Sequence, residues 1–139
     1  MDVAQALEFA RSRHNGVLVT QKRNGRPQLS NISYVVIDGV VKISITAGRA
    51  KYSNLERNPQ ASLYVTRDDF WGYVVLEGEA DLSAVSTKAD DRGIDELVEV
   101  YRAIAGEHPD WDDYRRAMIA DKRVVVRLRP TYAYGMLGD

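Results

Sequence analysis

Cysteine is absent from all 139 residues. That excludes disulfides, thiolate catalysis and cysteine-ligated metals, and it fits a cytoplasmic protein. Histidine is almost as scarce. His14 and His108 are the only two, which argues against a multi-histidine metal site. His14 reads as a cation at a helix end and His108 as a loop residue before Pro109. No apolar run approaches membrane-spanning length, and the first residues lack a signal-peptide core. No catalytic triad is evident.

A large excess of one charge is also missing, since the net charge is only -1. The halves differ, however. Residues 1–67 carry 10 Lys+Arg against 4 Asp+Glu, and residues 68–139 carry 9 against 16. The field of the basic half attracts anions. Its cations are scattered among strands with no recognition motif, so a small anionic molecule is favoured over nucleic acid. The length and the 45% hydrophobic, 28% charged composition fit a single domain over 1–139.

What is present begins with Gly48-Arg49-Ala50-Lys51-Tyr52-Ser53-Asn54-Leu55, directly after a strand pattern. The first N–H groups of a helix have no backbone partner, and its dipole favours an anion there. Arg49 adds a forked donor and Lys51 a point charge. Cations at a helix start are disfavoured unless an anion joins them. The junction therefore reads as a phosphate site.

Around it, a helix is expected over 2–14, stopped by Asn15-Gly16. Val17–Gln21 reads as a strand, and Asn24-Gly25 turns it into a long polar strand over 27–37. Asp38-Gly39 makes a second hairpin turn. Val40–Thr46 alternates, with Ser44 and Thr46 on the polar face. A helix over 48–57 ends at Asn58-Pro59. Strands follow over 61–66 and 71–82, with Gly72 and Gly78 as bulge points. A helix is expected over about 86–105, with Gly106 as its cap, and a shorter one after Asp110, with Asp113 at the capping-box position. Trp111, Tyr114 and Met118 form its packing stripe. The acidic run from Asp90 through Asp91, Asp95 and Glu96 to Glu99 reads as a solvated helix face. A last strand covers 123–128, with 130–136 as an irregular extension. Six strands joined mostly by hairpins point to a small antiparallel barrel with peripheral helices, not a parallel doubly wound sheet.

Three stretches carry a resemblance. They are Gly25-Arg26-Pro27-Gln28-Leu29-Ser30-Asn31, then Arg49-Ala50-Lys51 with Asn54-Leu55 and Pro59, and finally Tyr101 to His108 with Trp111-Asp112-Asp113-Tyr114. In this order they resemble the split β-barrel flavin/deazaflavin oxidoreductases, related to the FMN-binding pyridoxamine 5'-phosphate oxidases. The resemblance is closest to the branch that uses coenzyme F420. It implies a six-stranded antiparallel split β-barrel with peripheral helices, working as a homodimer with cofactor clefts at the interface. It implies cofactor contacts from Arg49, Lys51 and Asn54 to the phosphate, and from Gln28, Ser30 and Asn31 along the ring, with Ser44 and Thr46 next. Trp71 and Tyr73, expected on one strand face, would wall the partner's ring or substrate pocket. The implied activity is hydride transfer from F420 to an unsaturated or conjugated small molecule. FMN in an oxidase or reductase, and a non-catalytic F420 carrier, are the alternatives. A second basic cluster, Lys22, Arg23 and Arg26 or Arg57, favours F420, whose acidic tail it would receive. Haem binding, known on related barrels, lacks a histidine on a pocket strand.

Overall fold

The alternation of buried and open residues along the strands builds a single antiparallel sheet. The computed structural model describes residues 1–138. Its strands are β1 (Asn15–Gln21), β2 (Pro27–Ser33), β3 (Val35–Ile37), β4 (Val40–Thr46), β5 (Gln60–Thr66), β6 (Tyr73–Leu82) and β7 (Arg123–Met136). The helices are α1 (Val3–Arg11), α2 (Ala50–Arg57), α3 (Arg92–Ala105) and α4 (Trp111–Ala120). The strand order is β2-β1-β5-β6-β7-β4-β3.

β2 and β3 occupy opposite ends of that order, yet only Tyr34 separates them. One stretch of chain therefore pairs with β1 through β2 and with β4 through β3. The sheet has to curl into a barrel, and β2 and β4 diverge from the Tyr34 corner to leave a split. The expected six strands become seven because the long second strand breaks at this residue. Tyr34 is fully buried, its hydroxyl donates to the Ala10 carbonyl at 2.7 Å, and its N–H donates to the His14 carbonyl at 2.8 Å. His14 is thus held at the corner, Nδ1 3.0 Å from the Tyr34 carbonyl, and lies beyond the end of α1 instead of in its last turn.

Inside the barrel, Leu18, Ile43, Ile45, Leu63, Val65, Leu76, Val124 and Val126 meet Ala6 and Ala10 of α1. Helix α1 is capped reciprocally by Asp2 and Gln5 and ends at Arg11 with Ser12 as cap. Asn15 and Gly16 are consequently the first residues of β1, not a helix stop. Opposite, β6 and β7 shift register at Glu77/Gly78. A side chain at Gly78 would strike the Arg129 carbonyl, so the bulge requires glycine.

A second core forms outside the sheet, where α3 and α4 pack Ile94, Leu97, Val98, Val100 and Tyr114 on Val35 and Val125. Helix α3 begins at Arg92, later than expected. The Asp91 carboxylate accepts the Thr87 and Lys88 N–H groups and turns the preceding residues into a loop. Asp110 caps α4 by accepting the Asp113 N–H at 3.0 Å. The return half of the box is replaced, since the Asp110 N–H donates to His108 Nδ1.

Within the acidic run Asp90, Asp95 and Glu99 are exposed as expected, but Glu96 is not. Glu96, whose side chain is only 12% exposed, pairs with both Lys42 and Arg127; Glu99 also pairs with Lys42, and Asp95 with Arg115. Arg127 and Arg129 both reach Asp81. Among the described residues, no helix is long and apolar enough to cross a membrane.

Candidate functional site: a cationic cleft in the barrel split

Strand β4 ends at Thr46 and hands over to α2 through a turn that needs Gly48 at φ 85°. Arg49 is the extended N-cap of α2, no side chain caps it, and no acid lies in the first turn. The start of β7 is beside this junction: Thr46 pairs with Arg123, and the Ala47 N–H donates to the Lys122 carbonyl at 2.8 Å. A cleft of about 320 Å³ opens here, lined by Asn31 and Ile32 of β2, Ser44, Ile45 and Thr46 of β4, and Arg49, Lys51 and Arg123.

Its charge is uncompensated. Among the described residues, no carboxylate pairs with Arg49, Lys51 or Arg123. Arg123 Nη1 reaches only the Ser44 carbonyl, at 3.4 Å, and its Nε is buried without a partner. A buried donor left unmatched is costly. Three cations and an uncapped helix start line a space suited to phosphate.

Asn31, Ser44, Thr46, Arg49 and Lys51 are thus brought together. Gln28 and Ser30 stand opposite Thr20 and Leu18 in the β1–β2 register. They share the inner face with those buried residues, away from Asn31. Asn54 is buried beneath α2, where its Nδ2 donates to Thr20 Oγ1 at 3.1 Å and its Oδ1 accepts from Arg57 at 3.0 Å. Trp71 precedes β6 in a loop and is 83% exposed, so it does not share a strand face with Tyr73. Tyr73 opens β6 and stacks on Tyr64, ring centres 5.6 Å apart.

Arg123 is the residue that sequence reading missed. The alternation over 123–128 places it opposite Val124 and Val126, but only the pairing with Thr46 brings it to the Arg49 junction.

Two further hollows adjoin the cleft. One, about 480 Å³, shares Asn31 and Ile32 and runs over Gly16, Val17, Tyr64 and Thr66. The other, about 380 Å³, shares Ser44 and Arg123 and passes under α3 and α4.

A curled antiparallel barrel with a cation-lined split between two strands defines the split-barrel class. Residues 3–137 match the model of the pyridoxamine 5'-phosphate oxidase family, and the chain belongs to that family. Among solved structures it is similar to a conserved hypothetical protein of Mycobacterium tuberculosis (26% identity, TM-score 0.77, covering 99% of this chain and 85% of that one). It is also similar to an F420 reductase (25% identity, TM-score 0.68, covering 91% and 94%). A haem-binding protein of Mycobacterium smegmatis shares the fold at 22% identity and TM-score 0.67, covering 96% of this chain and 53% of that one.

Proposed function

We propose that the chain is an F420-dependent oxidoreductase that reduces an unsaturated or conjugated small molecule as a homodimer. The observation that carries this reading is the convergence of unpaired Arg49, Lys51 and Arg123 on the cleft in the split. Likeness to an F420 reductase supports it. When bound, the deazaflavin supplies a hydride from its own ring carbon, so the protein needs no nucleophile of its own.

Arg49 and Lys51 hold the cofactor phosphate at the open start of α2. Asn31 and the adjoining hollow over Gly16, Val17 and Tyr64 accommodate the ring, with Ser44 and Thr46 on the far side of the phosphate. Gln28, Ser30 and Asn54 support the wall from behind: Asn54 fixes α2 on Thr20. Lys22, Arg23 and Arg26 stand exposed around the β1–β2 turn with no carboxylate partner among the described residues, which favours an acidic cofactor tail over the shorter FMN. Arg57 is engaged by the Gln21 carbonyl and Asn54. The sheet face bearing Tyr64, Tyr73, Tyr134 and Met136 receives a second copy, whose Trp71 would then wall the ring hollow.

Titration with F420 and with FMN, followed by cofactor fluorescence, tests the reading. F420 should bind, and Arg49→Glu or Lys51→Ala should weaken it at least about tenfold without loss of fold. Unchanged affinity in both variants removes the phosphate assignment. Tight FMN binding without F420 binding replaces the cofactor. Binding without turnover of any enone or quinone makes the chain a carrier.

A further inference from the structure

Arg123 and Arg127 leave the same face of β7 four residues apart, but their surroundings differ. Arg127 is saturated by Glu96 and Asp81. Arg123 meets no carboxylate among the described residues, only the Ser44 carbonyl, and its Nε is buried and unpartnered. It also lines the groove of about 380 Å³ at α3 and α4, together with Ser33 and Ser44 and the walls Val100, Tyr101, Ile104, Tyr114 and Met118.

None of those wall residues neutralises it. The Tyr114 hydroxyl donates to the Leu97 carbonyl at 3.0 Å. Burial pushes that phenol up to about 12, although the charge of Arg123 pulls the other way, so Tyr114 offers no anion at neutral pH. A mostly apolar groove with one guanidinium that no carboxylate matches selects a ligand that is apolar over most of its surface and carries a single anionic group. A polyanionic tail does not suit aromatic and aliphatic walls.

We infer that this groove binds a flat apolar monocarboxylate, with its carboxylate received by Arg123 and its body lying against Tyr101, Ile104 and Met118. Arg123 also lines the phosphate cleft, so this site shares that residue with the cofactor reading but needs neither Arg49 nor Lys51, and the two readings fail separately. A site of this kind beside the phosphate cleft would admit an aromatic or unsaturated acid as a second ligand.

The probe pair is 2-naphthoate and the neutral 2-naphthylmethanol, read by NMR of ¹³C-methyl-labelled methionine. The chain has three methionines; Met118 lines the groove, while Met1 and Met136 are exposed elsewhere. Naphthoate should shift Met118 saturably, with Met1 and Met136 unmoved, and should bind at least about tenfold more tightly than the alcohol. Arg123→Gln should reduce naphthoate to the affinity of the alcohol and leave the alcohol unchanged. Ile104→Trp should abolish both while the Met1 and Met136 signals stay in place. An unmoved Met118, equal affinities for acid and alcohol, or a naphthoate affinity unaffected by Arg123→Gln would overturn the assignment. The acid–alcohol comparison on the unaltered chain decides even if a variant fails to fold.

Discussion

On the outer face of β7, Val125 lies dry beneath α3 and α4, while Tyr132, Tyr134 and Met136, further along the same strand, face open space. The contrast extends across the sheet. On the covered side, Lys42, Arg127 and Glu96 are stitched into an ion network under the helices. On the bare side, Leu29, Tyr64, Tyr73, Tyr134 and Met136 present a mixed aromatic and aliphatic surface with no element over it. The chain buries one half of its barrel exterior with its own helices and leaves the other half in the form of a cut core. The proposed second copy would sit on this bare side, where a two-fold contact would bury the exposed aromatic and aliphatic side chains.

The largest expected effect comes from charging the bare side. Tyr134→Glu combined with Met136→Glu places four added carboxylates across a two-fold contact. The dimer dissociation constant should rise at least about a thousandfold, seen by sedimentation velocity with an unchanged circular dichroism spectrum. An unaltered chain that sediments as a monomer would show that the bare side takes no second copy.

A middle-sized effect probes the covered side. Glu96→Ala leaves Lys42 and Arg127 without their shared partner and should cost about 3 kcal/mol, lowering Tm by about 10 °C. Acid should produce a related loss. Burial opposes the charge on Glu96, but hydrogen bonds from Arg127 and Lys42 outweigh it and hold the carboxyl below its usual range. Asp81 is held down in the same way by Arg127 and Arg129. Because these folded values lie below the unfolded ones, their stabilisation is present above about pH 4.3 and is lost as pH falls through the folded values. Thermal melts between neutral pH and strong acid should therefore fall less steeply for Glu96→Gln than for the parent. Parallel curves would show that the network adds nothing.

The smallest effect is local. Asp110→Ala removes the acceptor for the Asp113 N–H and should cost about 1 kcal/mol by urea denaturation. Dimerisation should be untouched, because α4 belongs to the covered side. A shift in the dimer constant would show that the two sides are coupled.

The barrel class, the hairpin turns and the helix positions were legible because they follow local rules. Asp38 and Gly39 adopt φ 51° and 75°, as a tight hairpin turn demands, and Asp110 caps as its spacing predicts. The Arg49/Lys51 junction was legible for the same reason. What escaped depends on distant partners. Tyr34 breaks a strand because α1 clamps its hydroxyl. Glu96 looks like any exposed helical acid until Lys42 and Arg127 meet it across the sheet. Arg123 joins the cleft only through pairing with Thr46, 77 positions earlier in the chain, which leaves no trace in periodicity.

The place of β7 in the strand order bears on how the molecule assembles. It lies between β6 and β4, so the last of the seven strands in chain order is the one that joins the two halves of the sheet. Until residues 123–136 are available, β6 and β4 each present an unpaired edge, and neither the barrel nor the cationic cleft exists. Such long-range pairing is slow and exposes sticky edges meanwhile. Formation of the cationic cleft is thus deferred until β7 has paired, and with it any binding of an anion there.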